Sequence, residues 1–415
     1  MSDEPSVGRP AAAPAATAPL GGLASVGTLP LRLLDGLLRR RGIGRLRVRL
    51  PGGAEGVIGE AGSPVEASLE VRAYAAVWKV WRRGALGFAE SYMDGDFETA
   101  DLRRLFELYL ANEPALTRAF PRLNLTRGLD RRFHASRQNT YSGSRRNIAE
   151  HYDLGNAFYR LWLDPSMLYS SGIYTSDTAS LEEAQAEKIG RILAALELLP
   201  EQSVLEVGCG WGALAAAMAE RGARVRAITI SAEQLAEARA RIGRAGLSEV
   251  VETVFEDYRD TVGGFDRLVS IEMIEAVGEE NWPLFFGTIA DRLNPGGTAV
   301  IQAITIREDA FASYRANPDF IQRYIFPGGM LPTVKLMHQR ASEAGLSFEI
   351  VERFGHSYAL TLAEWRRRFE HAWPQIAALG FDERFRRMWR YYLTYCEIGF
   401  ERGLIDVGLY RLRKA

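Results

Sequence analysis

The chain has 415 residues, 47% of them hydrophobic, with 51 Lys and Arg against 52 Asp and Glu and a formal net charge of −1. Length and apolar content allow a large catalytic domain with a smaller companion, and the balanced charge excludes a general polyanion binder, so no nucleic-acid partner is expected. Two cysteines, Cys209 and Cys396, exclude a disulfide framework, and no pair among the five histidines has metal-ligand spacing, so no metal is expected and a reducing cytoplasm is the simplest compartment.

In chain order, residues 1–28 are rich in Ala, Pro and Gly without hydrophobic periodicity and read as a disordered tail. Leu31 to Leu38 reads as a short helix running into Arg39-Arg40-Arg41. Leu46-Arg-Val-Arg-Leu50 alternates apolar and basic residues, a strand signal, and Pro51-Gly52-Gly53 is a turn. Val65 to Val80 mixes strand and helix character, and Leu102 to Leu110 is amphipathic. These segments predict a small α/β domain over residues 29–120, followed by a polar, arginine-rich link over 121–147.

From residue 148 the pattern becomes an α/β alternation. An amphipathic helix, Leu181 to Leu199, ends at Pro200. Strands are expected at Ser203–Val207, Arg224–Ile230, Val251–Phe255, Arg267–Ile271 and Thr298–Ile304, the last after the turn 294–297. Strands separated by helical segments predict a doubly wound, mostly parallel sheet. No run of ~18 apolar residues is present, so no membrane span is expected. Arginine clusters at 39–41, 45–49, 366–368 and 384–387 read singly as solvated faces, and together fit contact with an anionic membrane surface.

The segment Val204-Leu-Glu-Val-Gly-Cys-Gly-Trp-Gly-Ala-Leu-Ala215 reads as a buried strand, a tight turn and a helix start. Glycines at 208, 210 and 212 suit a backbone that takes positive φ or lies against a ligand, and ligands of such sheets bind beyond the carboxyl ends of the strands. The strand ends therefore nominate Glu206, Gly208, Gly210 and Gly212, then Thr229, Ile230 and Gln234, then Asp257 and Tyr258. An acceptor such as Asp257 suits a hydroxyl or amine donor, and Tyr258 suits stacking on an adenine; the alternative for Asp257 is a helix cap. The spacing Glu-x-Gly-x-Gly-x-Gly differs from the dinucleotide fingerprint and resembles the first motif of S-adenosylmethionine-dependent methyltransferases.

The chain also resembles the cyclopropane-fatty-acyl-phospholipid synthase family over about residues 84–410. The carriers are Ala149–Asp164, Met167–Tyr174, Gly208-Cys-Gly-Trp-Gly212, Ile228–Ser231, Glu256–Asp260 and Tyr324-Ile-Phe-Pro-Gly-Gly-Met-Leu-Pro332. Gly84 to Phe97 is similar to the family's small N-terminal domain, itself similar to sterol-carrier lipid-binding modules. The resemblance implies a seven-stranded Rossmann-like methyltransferase sheet at 148–415, with a lid at Phe311–Met330 over an acyl channel, beside a smaller lipid-binding-like α/β domain. It implies S-adenosylmethionine as cofactor, lined additionally by Tyr152, Tyr169 and Ser170, and the cis double bond of an unsaturated phospholipid acyl chain as substrate. It also implies a place at the inner face of the membrane, in peripheral contact. Family members are often dimers, which leaves a homodimer open.

An alkene that attacks a sulfonium methyl becomes a carbocation, and the base that then removes a proton decides between a ring and a branched or methylene chain. In the family a bicarbonate is the base, held by a cysteine, a glutamate, a histidine and a tyrosine. Here Glu275 and Tyr358 match the glutamate and the tyrosine, while Ser171 stands for the cysteine, Gln302 for the histidine, and Ala276 for a further histidine. Glu272 stands where the resemblance implies glycine. Whether bicarbonate binds stays open. Two carboxyls this close raise one pKa and suit a general base, so Glu272 or Glu275 is expected to take the proton and a methyl-branched product is favoured; the alternative for Glu272 is an ion pair with an arginine. His356 is the histidine that could substitute in the site, and Cys396 matches a cysteine near the pocket. Two other functions stand beside this one: a small-molecule methyltransferase on the same scaffold, and a non-catalytic lipid-binding relative.

Overall fold

A computed structural model describes residues 44–59, 63, 65–119, 128, 137, 139–141, 143 and 154–415. The expected tail, the helix at 31–38, most of the link, Tyr152, His134 and His151 lie outside the described residues. The chain divides into two compact units, residues 1–81 with 95–123, and residues 82–94 with 124–415.

In the first unit, β1 (Arg45–Arg49) pairs antiparallel with β2 (Glu55–Gly59) through the turn at Gly52 and Gly53, whose φ values are +91° and +87°. β1 also runs parallel to β3 (Glu66–Val71), which meets the short β4 (Phe97–Glu98), giving the order β2-β1-β3-β4. The period-two pattern sends Leu46 and Val48 inward. The alternating arginines face outward, where Arg47 and Arg49 pair with Glu66 and Glu55. The ambiguous stretch at 65–80 resolves into β3 and a helix, α1 (Ala75–Arg83).

The second unit includes α2 (Ala85–Met93), while α3 (Leu102–Ala119) packs Leu102, Leu105, Phe106 and Leu108 into the first. The second unit is built on seven strands: β5 (Ser203–Val207), β6 (Arg224–Thr229), β7 (Val251–Phe255), β8 (Phe265–Ile271), β9 (Leu293–Ile306), β10 (Leu346–Arg353) and β11 (Ile405–Lys414). Their order is β10-β11-β9-β8-β5-β6-β7. β5 to β9 are mutually parallel, and β11 runs antiparallel between β9 and β10. β5 and β7 match the sequence reading residue for residue. β8 begins two residues earlier than expected, and β9 extends at both ends, taking in residues 294–297 with a register shift opposite Phe265 to Arg267.

Central strands covered on both faces must be apolar nearly throughout. Leu205, Val207, Ile228, Leu268 and Ile301 accordingly join Phe285, Phe286 and Ile289 of a covering helix in one core. The chain leaves β5 toward β6 and β7 on one side, and β8 and β9 extend the sheet on the other. The switch point therefore falls between the carboxyl ends of β5 and β8, where such sheets bind ligands.

Candidate active site

At the end of β5 the chain turns through Gly208, Gly210 and Gly212 at φ of +81°, +52° and +83°, left-handed values that side chains rarely adopt. Gly208 and Cys209 both donate to the Ile228 carbonyl at 3.0 Å, which ties the turn to β6. The three glycines differ in surroundings. A Cβ at Gly212 would lie 3.2 Å from the Ala238 Cα, so that glycine lets the following helix (Ala213–Glu220) lie close on its neighbour (Ala232–Arg244). A Cβ at Gly208 would meet Met273 Cγ at 3.2 Å, just past β8, whereas one at Gly210 would meet nothing within 4 Å. Glu206, one residue before the end of β5, is buried, and its Oε2 has no hydrogen-bond partner. Burial pushes its carboxyl up to about 8.

At the end of β6, Ser231 caps the next helix by accepting from the Gln234 N–H at 3.3 Å, and Thr229 donates its hydroxyl to Gln234 Oε1 at 3.2 Å. Ile230 is half-buried between them. Beyond β7, Asp257 is buried, but its carboxylate is neither free nor a helix cap: the Arg259 side chain donates to both of its oxygens, at 2.8 and 2.6 Å. Tyr258 is half-buried with its ring edge-on to Phe285, centroids 5.7 Å apart.

The end of β8 carries a second cluster. Glu272 follows the last residue of the strand and donates its N–H to the Gln302 carbonyl at 2.8 Å. Its φ is +49°, one of four positive values at non-glycine residues among those described. Its carboxylate accepts three hydrogen bonds. The Ser171 N–H and Gln302 Nε2 reach Oε1 at 2.9 and 2.6 Å, and the Tyr358 hydroxyl reaches Oε2 at 2.7 Å. No arginine pairs with it in these contacts, which replaces the expected ion-pair alternative. The Ser171 hydroxyl instead donates to the Gly172 carbonyl, so this residue presents its backbone to the cluster. Glu275, on a 3₁₀ turn (Ile274–Ala276), accepts from the Ile304 N–H, while its Oε2 is buried without a partner. Its backbone carbonyl holds the Met330 N–H at 2.8 Å, fastening the segment Tyr324–Pro332 beside the cluster.

Enclosure raises both carboxyls, and their environments separate them. Glu272 is pulled back down by the Tyr358, Ser171 and Gln302 hydrogen bonds and by the Lys188 charge. Glu275, with a single donor, is pushed up to about 8 by burial and by the neighbouring Glu272 charge. A pair this close shares protons, and three donors against one leave the charge on Glu272 and the proton on Glu275.

The family model described as mycolic acid cyclopropane synthetase matches residues 139–409. The chain belongs to this family. It is 38% identical over 365 residues to tuberculostearic acid methyltransferase UfaA1 of Mycobacterium tuberculosis, covering 85% of each chain. It is 38% identical to cyclopropane-fatty-acyl-phospholipid synthase of Escherichia coli, covering 78% of this chain and 81% of that one. Among solved structures, mycolic acid cyclopropane synthase CmaA1 complexed with SAH and CTAB matches with a TM-score of 0.60 at 30% identity, over 65% of this chain and 98% of that one. As a member of this family the chain is an S-adenosylmethionine-dependent methyltransferase.

The β5 turn suits that cofactor chemically. An orphaned carboxylate oxygen on Glu206 can accept from an amine or hydroxyl, and Gly210 keeps the approach clear of a side chain. The second cluster does not suit the bicarbonate that the resemblance implies, because the three donors that would hold the ion already close on Glu272.

One residue of this methyltransferase went unnoticed in the sequence. Lys188 lies on α5 (Leu181–Leu196; the short α4 spans Asn156–Tyr159), and is only 1% exposed. Its ammonium donates to Ser170 Oγ at 2.7 Å, and burial draws it down to about 8 against the attraction of Glu272 and Asp164. The signal was its place on the apolar stripe of Leu181, Ala184, Ile192 and Ala195. Tyr169, beside Ser170, shares a 2.9 Å hydroxyl contact with Tyr392 and packs on Trp365 at 5.3 Å, and Trp365 stands edge-on to Tyr358 at 6.1 Å. Aromatic rings thus wall the side from which Tyr358 approaches Glu272.

Other expectations fall away from the site. His356 is exposed and contacts Asp177 at 3.1 Å, so it does not substitute in the cluster. Cys396 is half-buried, its thiol pushed well up by burial and then by Asp319. The arginine clusters of the second unit are paired with acids: Arg366 with Glu397, Arg368 with Glu182 and Glu364, Arg384 with Asp94, and Arg386 with Glu370.

Proposed function

We propose that this enzyme adds the methyl carbon of S-adenosylmethionine to the cis double bond of an unsaturated phospholipid acyl chain, and that Glu272 removes the proton that resolves the resulting cation. Tyr169, Ser170, Glu206, Gly208, Gly210, Gly212, Thr229, Ile230, Gln234, Asp257 and Tyr258 line the cofactor in this reading. Bound there, S-adenosylmethionine supplies an electrophilic methyl group for the alkene electron pair.

The chain's own part is to exclude water, shield a positive charge and place a base. The rings of Tyr169, Tyr358 and Trp365 pack against one another beside the cluster, and aromatic π systems close to a positive charge stabilise it. The carboxylate of Glu272, fixed by Ser171, Gln302 and Tyr358, takes one proton from a carbon bonded to the cationic centre, and the electron pair of the broken C–H bond becomes the second bond of a C=C bond. The observation that carries the reading is the convergence of these three donors on Glu272. It makes the base part of the chain, with no place for bicarbonate, and Glu275 holds the neighbouring proton without competing for charge. The product of that proton loss is a methyl-branched alkene or an exomethylene chain. The relative that aligns over 85% of the chain is named a methyltransferase.

The test is expression in a bacterium whose phospholipids carry cis-unsaturated chains, followed by mass spectrometry and fragmentation of the acyl chains. A gain of one CH2 on unsaturated chains, with a branch or exomethylene at the former double bond, is the expected result. A cyclopropane would refute the assignment of the base. Unchanged acyl chains with methylated amines would refute the lipid reading.

The remaining membrane question is where such an enzyme meets its lipid. Among the described residues no helix is long and apolar enough to cross a membrane, so the substrate chain is reached from the bilayer surface in this reading.

A further inference from the structure

Helix α5 buries two polar side chains one turn apart. Gln185 and Lys188 are each 1% exposed, and both reach the same irregular stretch, residues 168–170. Lys188 holds the Ser170 hydroxyl. Gln185 Nε2 donates to the Ser170 carbonyl at 2.9 Å and to the Leu168 carbonyl at 3.3 Å. These two acceptors fix which end of the amide faces the stretch. The other end is unrewarded: Gln185 Oε1 is buried and has no hydrogen-bond partner among the described residues. A buried, unpaired oxygen is unfavourable, so packing alone favours an apolar side chain at this position. The amide is kept for what its N–H groups hold.

What they hold is one end of the peptide that reaches the base. The Ser170 carbonyl and the Ser171 N–H belong to one planar trans unit, in which the two groups point in opposite directions. Gln185 takes the carbonyl end, and Glu272 Oε1 takes the N–H end at 2.9 Å. From this geometry we infer that Gln185 is a positioning residue for Glu272, acting through the peptide that joins Ser170 to Ser171, an inference that rests on the base proposed above. The grip keeps this peptide from turning over, which would set the Ser170 carbonyl against the Glu272 carboxylate. A donor on the carbonyl also polarises the amide and strengthens its N–H as a donor. The next peptide along is fixed separately, with Gln302 Nε2 on the Ser171 carbonyl at 3.4 Å and the Gly172 N–H on Thr361 Oγ1 at 3.1 Å. The plane between Ser170 and Ser171 therefore depends on Gln185.

The experiment is a double-mutant cycle on the full chain, with turnover read as transfer of a radiolabelled methyl group to lipid. Gln185→Met keeps a similar volume and removes both donors. Alone it should lower kcat roughly 10- to 100-fold, the worth of a hydrogen bond to a charged group. In a Glu272→Gln background, where no carboxylate is left to aim, it should lower the residual kcat less than about twofold. The acid limb of its kcat/KM profile should move to higher pH, because a weaker Ser171 N–H holds the Glu272 anion less firmly. Gln185→Asn, which draws the amide back by one methylene, gives the same comparison if Gln185→Met folds poorly. Wild-type kcat in Gln185→Met overturns the inference, and so does a lowered thermal midpoint with an unmoved acid limb. An equal loss in both backgrounds places the effect on the fold or the cofactor; it overturns the positioning role and spares the base. A Glu272→Gln enzyme with full turnover would sink the base and this inference together.

Discussion

Replacing Glu272 by glycine and by glutamine separates its two tasks. At φ of +49° a non-glycine residue carries roughly 1–2 kcal/mol of backbone strain, which glycine relieves. The same change strips an acceptor from three donors, Ser171 N–H, Gln302 Nε2 and Tyr358 O–H, each of which costs about 1–3 kcal/mol if left buried and unpaired. The donors outweigh the strain, so Glu272→Gly should be destabilised by several kcal/mol in buffer free of CO2. It should also regain both stability and turnover when bicarbonate is added, since the ion can then accept from the same donors. Glu272→Gln keeps the shape and an acceptor oxygen, so it should fold nearly as well as the wild type. Without a base its turnover should fall by about 10²–10⁴, about 3–5 kcal/mol of barrier. Release of S-adenosylhomocysteine follows turnover, and thermal unfolding with and without bicarbonate follows stability. A Glu272→Gln enzyme with wild-type kcat would refute the reasoning outright.

Lys188→Met removes a cation that holds Glu272 down, so the acid limb of the kcat/KM profile should move to higher pH; an unmoved limb would separate Lys188 from the base. Glu275 has its folded pKa raised from 4.5 to about 8, so its contribution to stability is complete below the lower value and is lost as pH rises through the upper one. Urea midpoints of Glu275→Gln should therefore decline less steeply across that window than those of the wild type, though Glu206, also raised to about 8, leaves part of the slope in place; equal slopes would count against a protonated Glu275. Gly210→Ala meets no neighbouring atom but must hold φ of +52°. It should cost about 1 kcal/mol of stability and far more in cofactor affinity, measured by titration calorimetry, and a variant that binds S-adenosylmethionine normally would show that the ligand does not pass close to that glycine.

What was legible in the sequence and what was not divides along contact range. β5 and the turn after it are local: an apolar run covered on both faces, then glycines at alternate positions, and the backbone follows with three positive φ values. The departure at position 272 was also legible as an acid in place of glycine, but its partners were not, for Ser171, Gln302 and Tyr358 lie 101, 30 and 86 residues away along the chain. The arginine clusters were legible as solvated faces only in part, since some of the acids that answer them are one helical turn away, as Glu364 is from Arg368, and others are remote in sequence, as Glu182 is from Arg368 at a separation of 186. Lys188 was missed because a lysine on a helix belongs in solvent unless something buried receives it, and the receiver, Ser170, sits on another segment. These misses share a physical cause: a charge is read from its neighbours in space, and only the apolar period is written along the chain. Position 272 joins both kinds of information. Its left-handed backbone suits glycine, and a glutamate is kept there only if its side chain returns more than the strain costs. With three donors closing on that carboxylate and a protonated acid beside it, the return is an anion fixed without a dissociable ion. An enzyme so built should keep its turnover when CO2 is stripped from the buffer, and a loss of activity under those conditions would put bicarbonate back into the site.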